Sequence, residues 1–170
     1  MKNVRFVEVR SPEKIKKTVS LARDIWRENY TPIIGSQQVE YMLEKFQSFS
    51  AVSEQLKEGY KYYLLKKAEG DNAGYIAFIP REEVLFLSKL YIKRSERRKG
   101  YASDAVSFME KAALKHGLLK IRLTVNRYNK KAIIFYSKTG FRKTSDKVTD
   151  IGCGFVMDDH VMEKQVKKRK

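Results

Sequence analysis

A mixed α/β fold is predicted by three features of the chain. Apolar residues recur at helical spacing in its first third, short β-branched and aromatic runs separated by turn residues fill its middle, and a strand–helix–strand–helix order closes it. Lys2 to Arg10 alternates and reads as the first strand. Ser11-Pro12 suits an N-cap followed by the first helical residue, and Ile15, Thr18, Val19, Ala22, Ile25 and Trp26 then mark one helix face. This helix is expected to stop near Asn29, because Pro32 disfavours helical geometry in the residue before it. A second helix follows Ser36, with Val39, Met42, Leu43 and Phe46 on one face, and a third spans Val52 to Lys57 before Gly59.

Strand patterns come next. Tyr60 to Lys67 and Gly74 to Ile79 flank Glu69-Gly70-Asp71-Asn72, the composition of a hairpin turn, and a turn near Pro80 to Glu83 leads into Val84 to Ile92. After Gly100 a helix carries Ala102, Ala105, Val106, Met109, Ala112 and Ala113 on one face and closes at Gly117. Leu119 to Val125 alternates as a strand, Lys130 to Lys138 reads as a short helix ending at Gly140, and Phe141 to Lys147 and Phe155 to Lys164 read as two last strands joined by Asp150 to Gly154.

The 170 residues suit one domain with a buried core, and 42% hydrophobic and 12% aromatic content argues against wholesale disorder. The expected organisation is one domain over 1–166 and a basic tail over 167–170. No run of eighteen apolar residues and no apolar leader is present, and the single Cys153 cannot form an internal disulfide, so the expectation is a cytoplasmic protein without a membrane partner. One cysteine and two distant histidines fall short of a zinc site, and no metal is expected. Cys153 also lacks an adjacent base that would make it a nucleophile.

The formal charge of +16 attracts anions of any kind. Lys89, Lys93, Arg94, Arg97, Arg98 and Lys99 crowd the end of one strand and the turn after it, with Glu96 opposing them. A strand, a basic turn and a helix opening at a glycine can aim backbone N–H groups at a phosphate. A solvated turn with a glycine fitted for geometry has the same composition.

Arg97-Arg98-Lys99-Gly100-Tyr101-Ala102 has the form R/Q-x-x-G-x-G/A at this strand-to-helix turn, and about thirty residues on Asn129-Lys130-Lys131-Ala132 to Tyr136 and Gly140-Phe141 have the form N-x-x-A-x-x-x-Y-x-x-x-G-F. In both motifs, and in their order, the chain resembles the GCN5-related N-acetyltransferase (GNAT) superfamily over Leu85 to Phe141. Trp26 with Tyr30, and Asp150 to Gly154 followed by Met157 to His160, resemble a bacterial branch that includes polyamine acetyltransferases. The resemblance implies a central mixed β-sheet with helices on both faces, acetyl-CoA as cofactor, and transfer of an acetyl group to a primary amine of a small molecule or peptide. It leaves the acceptor open, and a homodimer also stays open.

Under the same resemblance, the backbone of Leu90, Tyr91 and Ile92 pairs with pantetheine, and Arg97, Arg98, Lys99, Gly100, Tyr101, Ala102 and Ser103 hold the phosphates. Tyr136 is the general acid, since a phenol of pKa ~10 can protonate a thiolate of pKa ~8.5 when well placed; it can also be read as a core residue of its helix. Asn129 is either a pantetheine contact or the N-cap of that helix. Trp26, Tyr30, Asp159 and His160 are the acceptor-side candidates, with core packing the alternative for the aromatics. No general base stands out: Ser88, Tyr91, Glu82, Glu83, Asp158, Asp159 and His160 all offer themselves, and neither His160 nor His116 has an identifiable partner in the sequence. Two other functions compete, a basic nucleic-acid or ribosome-associated module, disfavoured by the lack of an RNA-binding motif, and an acyl-CoA sensor without turnover.

Overall fold

In a computed structural model residues 4–168 are described; Met1, Lys2, Asn3, Arg169 and Lys170 lie outside the described residues, and with them the expected start of the first strand and half of the basic tail. Seven strands and five helices follow one another: β1 (Val4–Glu8), α1 (Pro12–Ile34), α2 (Ser36–Gln47), α3 (Phe49–Lys57), β2 (Lys61–Lys67), β3 (Asn72–Pro80), β4 (Leu85–Ile92), α4 (Tyr101–Lys115), β5 (Lys120–Asn126), α5 (Lys130–Lys138), β6 (Arg142–Gly152) and β7 (Phe155–Gln165), with a 3-10 turn at Arg94–Glu96. The strands hydrogen-bond in the order β1-β2-β3-β4-β5-β7-β6, a mixed sheet of the expected class. The chain divides into two compact units, residues 1–79 with 89–105 and residues 80–88 with 106–170.

The first unit holds β1 antiparallel to β2 and β2 antiparallel to β3, with α1, α2 and α3 packed against one another. Helix α1 starts where the sequence predicts, whereas α3 starts at Phe49 and not at the expected Val52. Ser11 caps α1 by accepting from the Lys14 amide at 3.3 Å, with Pro12 behind it, and Ser48 caps α3 through the Ala51 amide at 3.2 Å. The end of α1 differs from expectation. The helix runs through Pro32 to Ile34 and stops at Gly35, whose φ of 83° only glycine adopts cheaply and whose amide reaches the Thr31 carbonyl at 3.0 Å. Pro32 removes a single helical bond, to the Glu28 carbonyl, within the last turn; the buried face of Leu21, Ala22, Ile25 and Trp26 has by then fixed the helix.

The second unit holds the first part of β4 parallel to β5, Leu85–Leu87 opposite Ile121–Leu123, then β5 antiparallel to β7 and β7 antiparallel to β6. Leu85, Leu87, Met109, Ala113, Ile121, Leu123, Phe141 and Met162 are buried there. Asn129 caps α5, which spans the residues predicted for it. The last strands are longer than expected: β6 runs to Gly152 and the connection shrinks to Cys153 and Gly154. Residues Arg142 to Val148 are exposed on both faces, so β6 carries no inside–outside alternation that would mark its length.

One buried group in the first unit is unusual. Lys89 is 5% exposed, and its ammonium nitrogen donates to Gln55 Oε1 at 2.5 Å and to the Tyr62 hydroxyl, which itself donates to Gln55 Oε1 at 2.6 Å. Gln55 in turn donates to the Phe46 carbonyl at 3.2 Å, tying α3 to the end of α2. All of these partners are neutral, so desolvation pulls the Lys89 amine down from 10.5 to about 7. Between those values the unfolded chain binds a proton that the folded chain does not, so stability rises with pH from about 7 to about 10.5. Replacing Lys89 by Met should flatten that rise, worth a few kcal/mol in order of magnitude; thermal unfolding of both proteins from pH 6 to 10.5 checks it.

Candidate active site

The β4 strand leaves the buried Lys89, continues through Leu90-Tyr91-Ile92 and enters the basic turn. Its end is held by close backbone contact with β3. The Lys93 amide donates to the Ala73 carbonyl at 2.9 Å, and a Cβ on Gly74 would lie 2.1 Å from the Tyr91 carbonyl oxygen. Only glycine permits that approach.

The turn itself has a built shape. Arg94–Glu96 make one 3-10 turn, then Arg98 at φ 63° and Gly100 at φ 86° stand in left-handed geometry before α4 begins at Tyr101. Residues of opposite backbone hand in close succession turn successive N–H groups to one side, and a helix N-terminus adds its dipole. Glu96, the acid within the turn, is spoken for. It bridges Lys67 at 3.0 Å and Lys99 at 2.9 Å, and hydrogen bonds from Lys99 and then Lys67 hold its carboxyl below the ordinary range. Arg97 folds back, its Nε donating to the Ile92 carbonyl at 3.3 Å, while Arg98, Lys99 and Ser103 are exposed. Donors, glycine and uncompensated charge therefore fit a diphosphate.

Tyr91, singled out in the sequence for its backbone, also contributes its side chain. Its ring meets Trp26 edge-on with centroids 5.4 Å apart, Tyr30 at 6.0 Å and Tyr75 at 5.4 Å, while Trp26 and Tyr30 stack at 4.6 Å. Trp26 is buried, as its core reading expects, whereas Tyr30 and Tyr91 are half-exposed. Tyr75 donates to Gln47 Oε1 at 3.0 Å, and burial pushes its phenol well above the ordinary value. A groove of about 290 Å³ along α1, lined by Lys16, Arg23 and Phe49 among others, shares no residue with this cluster or with the turn.

The remaining candidates lie in the second unit. Tyr136 is 8% exposed on α5, with its ring edge-on to Phe141 at 5.4 Å. Asn129 accepts from the Ala132 amide at 3.3 Å, which is the N-cap role. On β7 the structure corrects the view of His160 as unpartnered: its Nδ1 lies 2.5 Å from Asp146 Oδ1 on β6. Asp146 also takes Lys143 at 3.0 Å and Arg127 at 3.6 Å, and hydrogen bonds from Lys143 and then His160 hold its carboxyl below the ordinary value. Asp158 pairs with Arg127 at 2.6 Å. Asp159 is buried, and desolvation followed by the charge of Asp158 raises its carboxyl to about 6. His116 and Cys153 are exposed. Lys89, grouped with the basic turn in the sequence, is instead buried against Gln55 and Tyr62, and Asp146 and Arg127 were not readable as site neighbours, because their partners lie on other strands.

The match to the acetyltransferase (GNAT) family covers residues 20–141. The chain belongs to that family; it is an N-acetyltransferase, and its cofactor is acetyl-CoA. Among relatives, it is 28% identical to the spermidine N(1)-acetyltransferase of Thermoplasma acidophilum over 158 residues, 89% of this chain and 96% of that one. In fold it is similar to the PaiA N-acetyltransferase of the same organism, crystallised with coenzyme A, with a TM-score of 0.79 at 24% identity over 97% of this chain and 99% of that one. It is also similar to the spermidine N-acetyltransferase of Vibrio cholerae, crystallised with CoA and spermine, with a TM-score of 0.71 at 16% identity over 96% of each chain. Among the described residues, no group of His, Cys, Asp and Glu could hold a metal ion, and no helix is long and apolar enough to cross a membrane.

Replacing Gly74 by Ala forces the Tyr91 carbonyl away from β3 and should cost about 1–3 kcal/mol. Urea unfolding would show it as a lower midpoint with an unchanged slope.

Proposed function

We propose that this protein acetylates a primary amine of a small cationic molecule, of the polyamine kind, by direct attack of the amine on the thioester, with residues 1–166 acting as one catalytic domain and 167–170 as a basic tail. One observation carries the reading: the turn of Arg97 to Ser103, with left-handed Arg98 and Gly100 at the opening of α4. The spermidine acetyltransferases among the relatives support the acceptor class.

Acetyl-CoA supplies an acyl group activated as a thioester. The backbone N–H groups from Arg98 to Ser103 hold the diphosphate, and Arg97, Arg98 and Lys99 add positive charge around it. The main chain of Leu90, Tyr91 and Ile92 aligns the pantetheine arm, with Asn129 as a further contact. On the acceptor side the reading assigns the half-exposed rings of Tyr30 and Tyr91, backed by Trp26, in the first unit, and Asp159 and His160 in the second. Such positioning supplies several kcal/mol, up to about 7–11 in the best intramolecular reactions. Tyr136 then delivers a proton to the sulfur as the carbon–sulfur bond breaks, which leaves neutral thiol.

Thiol release from acetyl-CoA, measured against a panel of polyamines, amino acids and peptides, tests this. The expected result is release with polyamines above the other acceptors. Tight CoA binding with no release for any amine would establish a sensor instead. Tyr136→Phe should lower kcat by about 100-fold, the low end of general-acid effects, and leave the dissociation constant of CoA unchanged. Gly100→Ala places a side chain at a left-handed position, costs about 1–2 kcal/mol, and should weaken CoA binding in calorimetry.

A further inference from the structure

The carboxylates of the second unit divide sharply by whether a cation meets them. Asp146 faces Lys143, Arg127 and His160, Asp158 faces Arg127, and Glu163 faces Lys120 and Arg122. Asp159 is the more buried, at 7% exposure, yet among the described residues no cation lies within ion-pair distance of it. Its cross-strand neighbours are Asn126 on β5, which is uncharged, and Lys147 on β6, which is exposed and forms no ion pair with it. On its own strand it is flanked by Asp158 and His160, both engaged elsewhere. A largely buried carboxylate without an ion pair is costly, the charges of Lys147 and His160 offset only part of that cost, and such groups persist where a ligand supplies the missing charge.

Its place in the sheet says where that ligand comes. Asn126, opposite Asp159, is the last residue of β5, and β5 is parallel to β4. Ligands of α/β sheets bind beyond the carboxyl ends of parallel strands. The turn leaving β5 is bonded directly to this part of β7, the Arg127 amide donating to the Asp158 carbonyl at 3.1 Å. The same turn, through the Asn129 cap, launches α5 and with it Tyr136.

We propose that Asp159 is a catalytic residue that receives the acceptor's ammonium group and takes its proton. The inference rests on the function proposed above, sharpens it to acceptors that arrive as cations, and assigns the proton acceptor that the sequence left open. The ammonium N–H bond breaks, an O–H bond forms on Asp159, and the nitrogen keeps the electron pair with which it attacks the thioester carbon; the second N–H proton, lost as the amide forms, goes to water, and Tyr136 regains from water the proton it gives to the sulfur. Asp159 passes the proton to water after the product leaves. A carboxyl raised to about 6 is ionised at neutral pH and is a stronger base than an ordinary aspartate.

Burial of Asp159 also has a stability signature. Its folded value of about 6 exceeds the ordinary 3.8, so the fold is favoured while the group is protonated and loses that support as pH rises through about 6. Asp159→Asn keeps the shape without the charge. The expected outcome at pH 7.5 is a higher Tm than the parent, together with a fall of about 100-fold in kcat/KM for spermidine. The dissociation constant of acetyl-CoA should stay within twofold, and calorimetric binding of spermidine alone should weaken at least tenfold. In the parent, kcat/KM should fall on the acid side of about pH 6; this limb should be absent in Asp159→Asn, and Asp159→Glu should restore part of the rate. An Asp159→Asn protein with spermidine turnover within threefold of the parent, or one retaining the acid limb, would overturn the assignment. If the parent releases no thiol with spermidine, the proposed function fails by itself, and the spermidine binding of parent and variant still decides the role of Asp159: equal binding overturns it.

Discussion

The backbone contact between Gly74 and the Tyr91 carbonyl is the constraint on which the first unit depends. For a strand proposed to hold a cofactor's arm through main-chain atoms, the backbone itself must be fixed, since no side chain can correct an error in register. Gly74 brings β3 against β4 at that point, the Lys93 amide bonds to Ala73 one step further on, and Arg97 returns to the Ile92 carbonyl. The basic turn therefore starts from a rigid origin. Its left-handed Arg98 and Gly100 set directions for N–H groups that a freely swinging loop could not hold.

Charge in this protein is organised by pairing. Glu96 is neutralised within the basic turn by Lys67 and Lys99, leaving Arg98 outside these ion pairs and exposed. In the second unit Arg127 serves two acids at once. Against that pattern two groups stand apart, the buried amine of Lys89 and the buried carboxyl of Asp159, each shifted toward its neutral form by desolvation. The first is satisfied by neutral hydrogen-bond partners, a packing solution, and the second is the group to which the acceptor's charge is assigned by proposal.

Most of the architecture was legible because hydrophobic period and turn chemistry agreed. The limits of α5, the Ser11 cap and the hairpin at Glu69 to Asp71 all follow from local signals. The family, too, was legible in two short motifs, and the match over residues 20–141 bears it out. The misreadings have a common cause. Pro32 looked like a stop, but a helix already fixed by burial tolerates one missing bond in its last turn. The full length of β6 was hidden because its pairing with β7, and no buried face, holds it in place. In the same way nothing local announces that Lys89 meets Gln55 and Tyr62, that His160 meets Asp146, or that Tyr91 adds its ring to Trp26 and Tyr30.

An enzyme that makes amines react with a thioester carries many amines of its own. Those in water are largely protonated at neutral pH and have no free electron pair with which to attack. Lys89 differs, because burial leaves it with an appreciable uncharged, nucleophilic fraction near pH 7. Yet that same burial, with Tyr62 and Gln55 closed around the nitrogen, keeps it away from any acyl donor. The feature that makes this side chain chemically ready thus also seals it off, and the protein is protected from its own reaction where it would be most vulnerable to it.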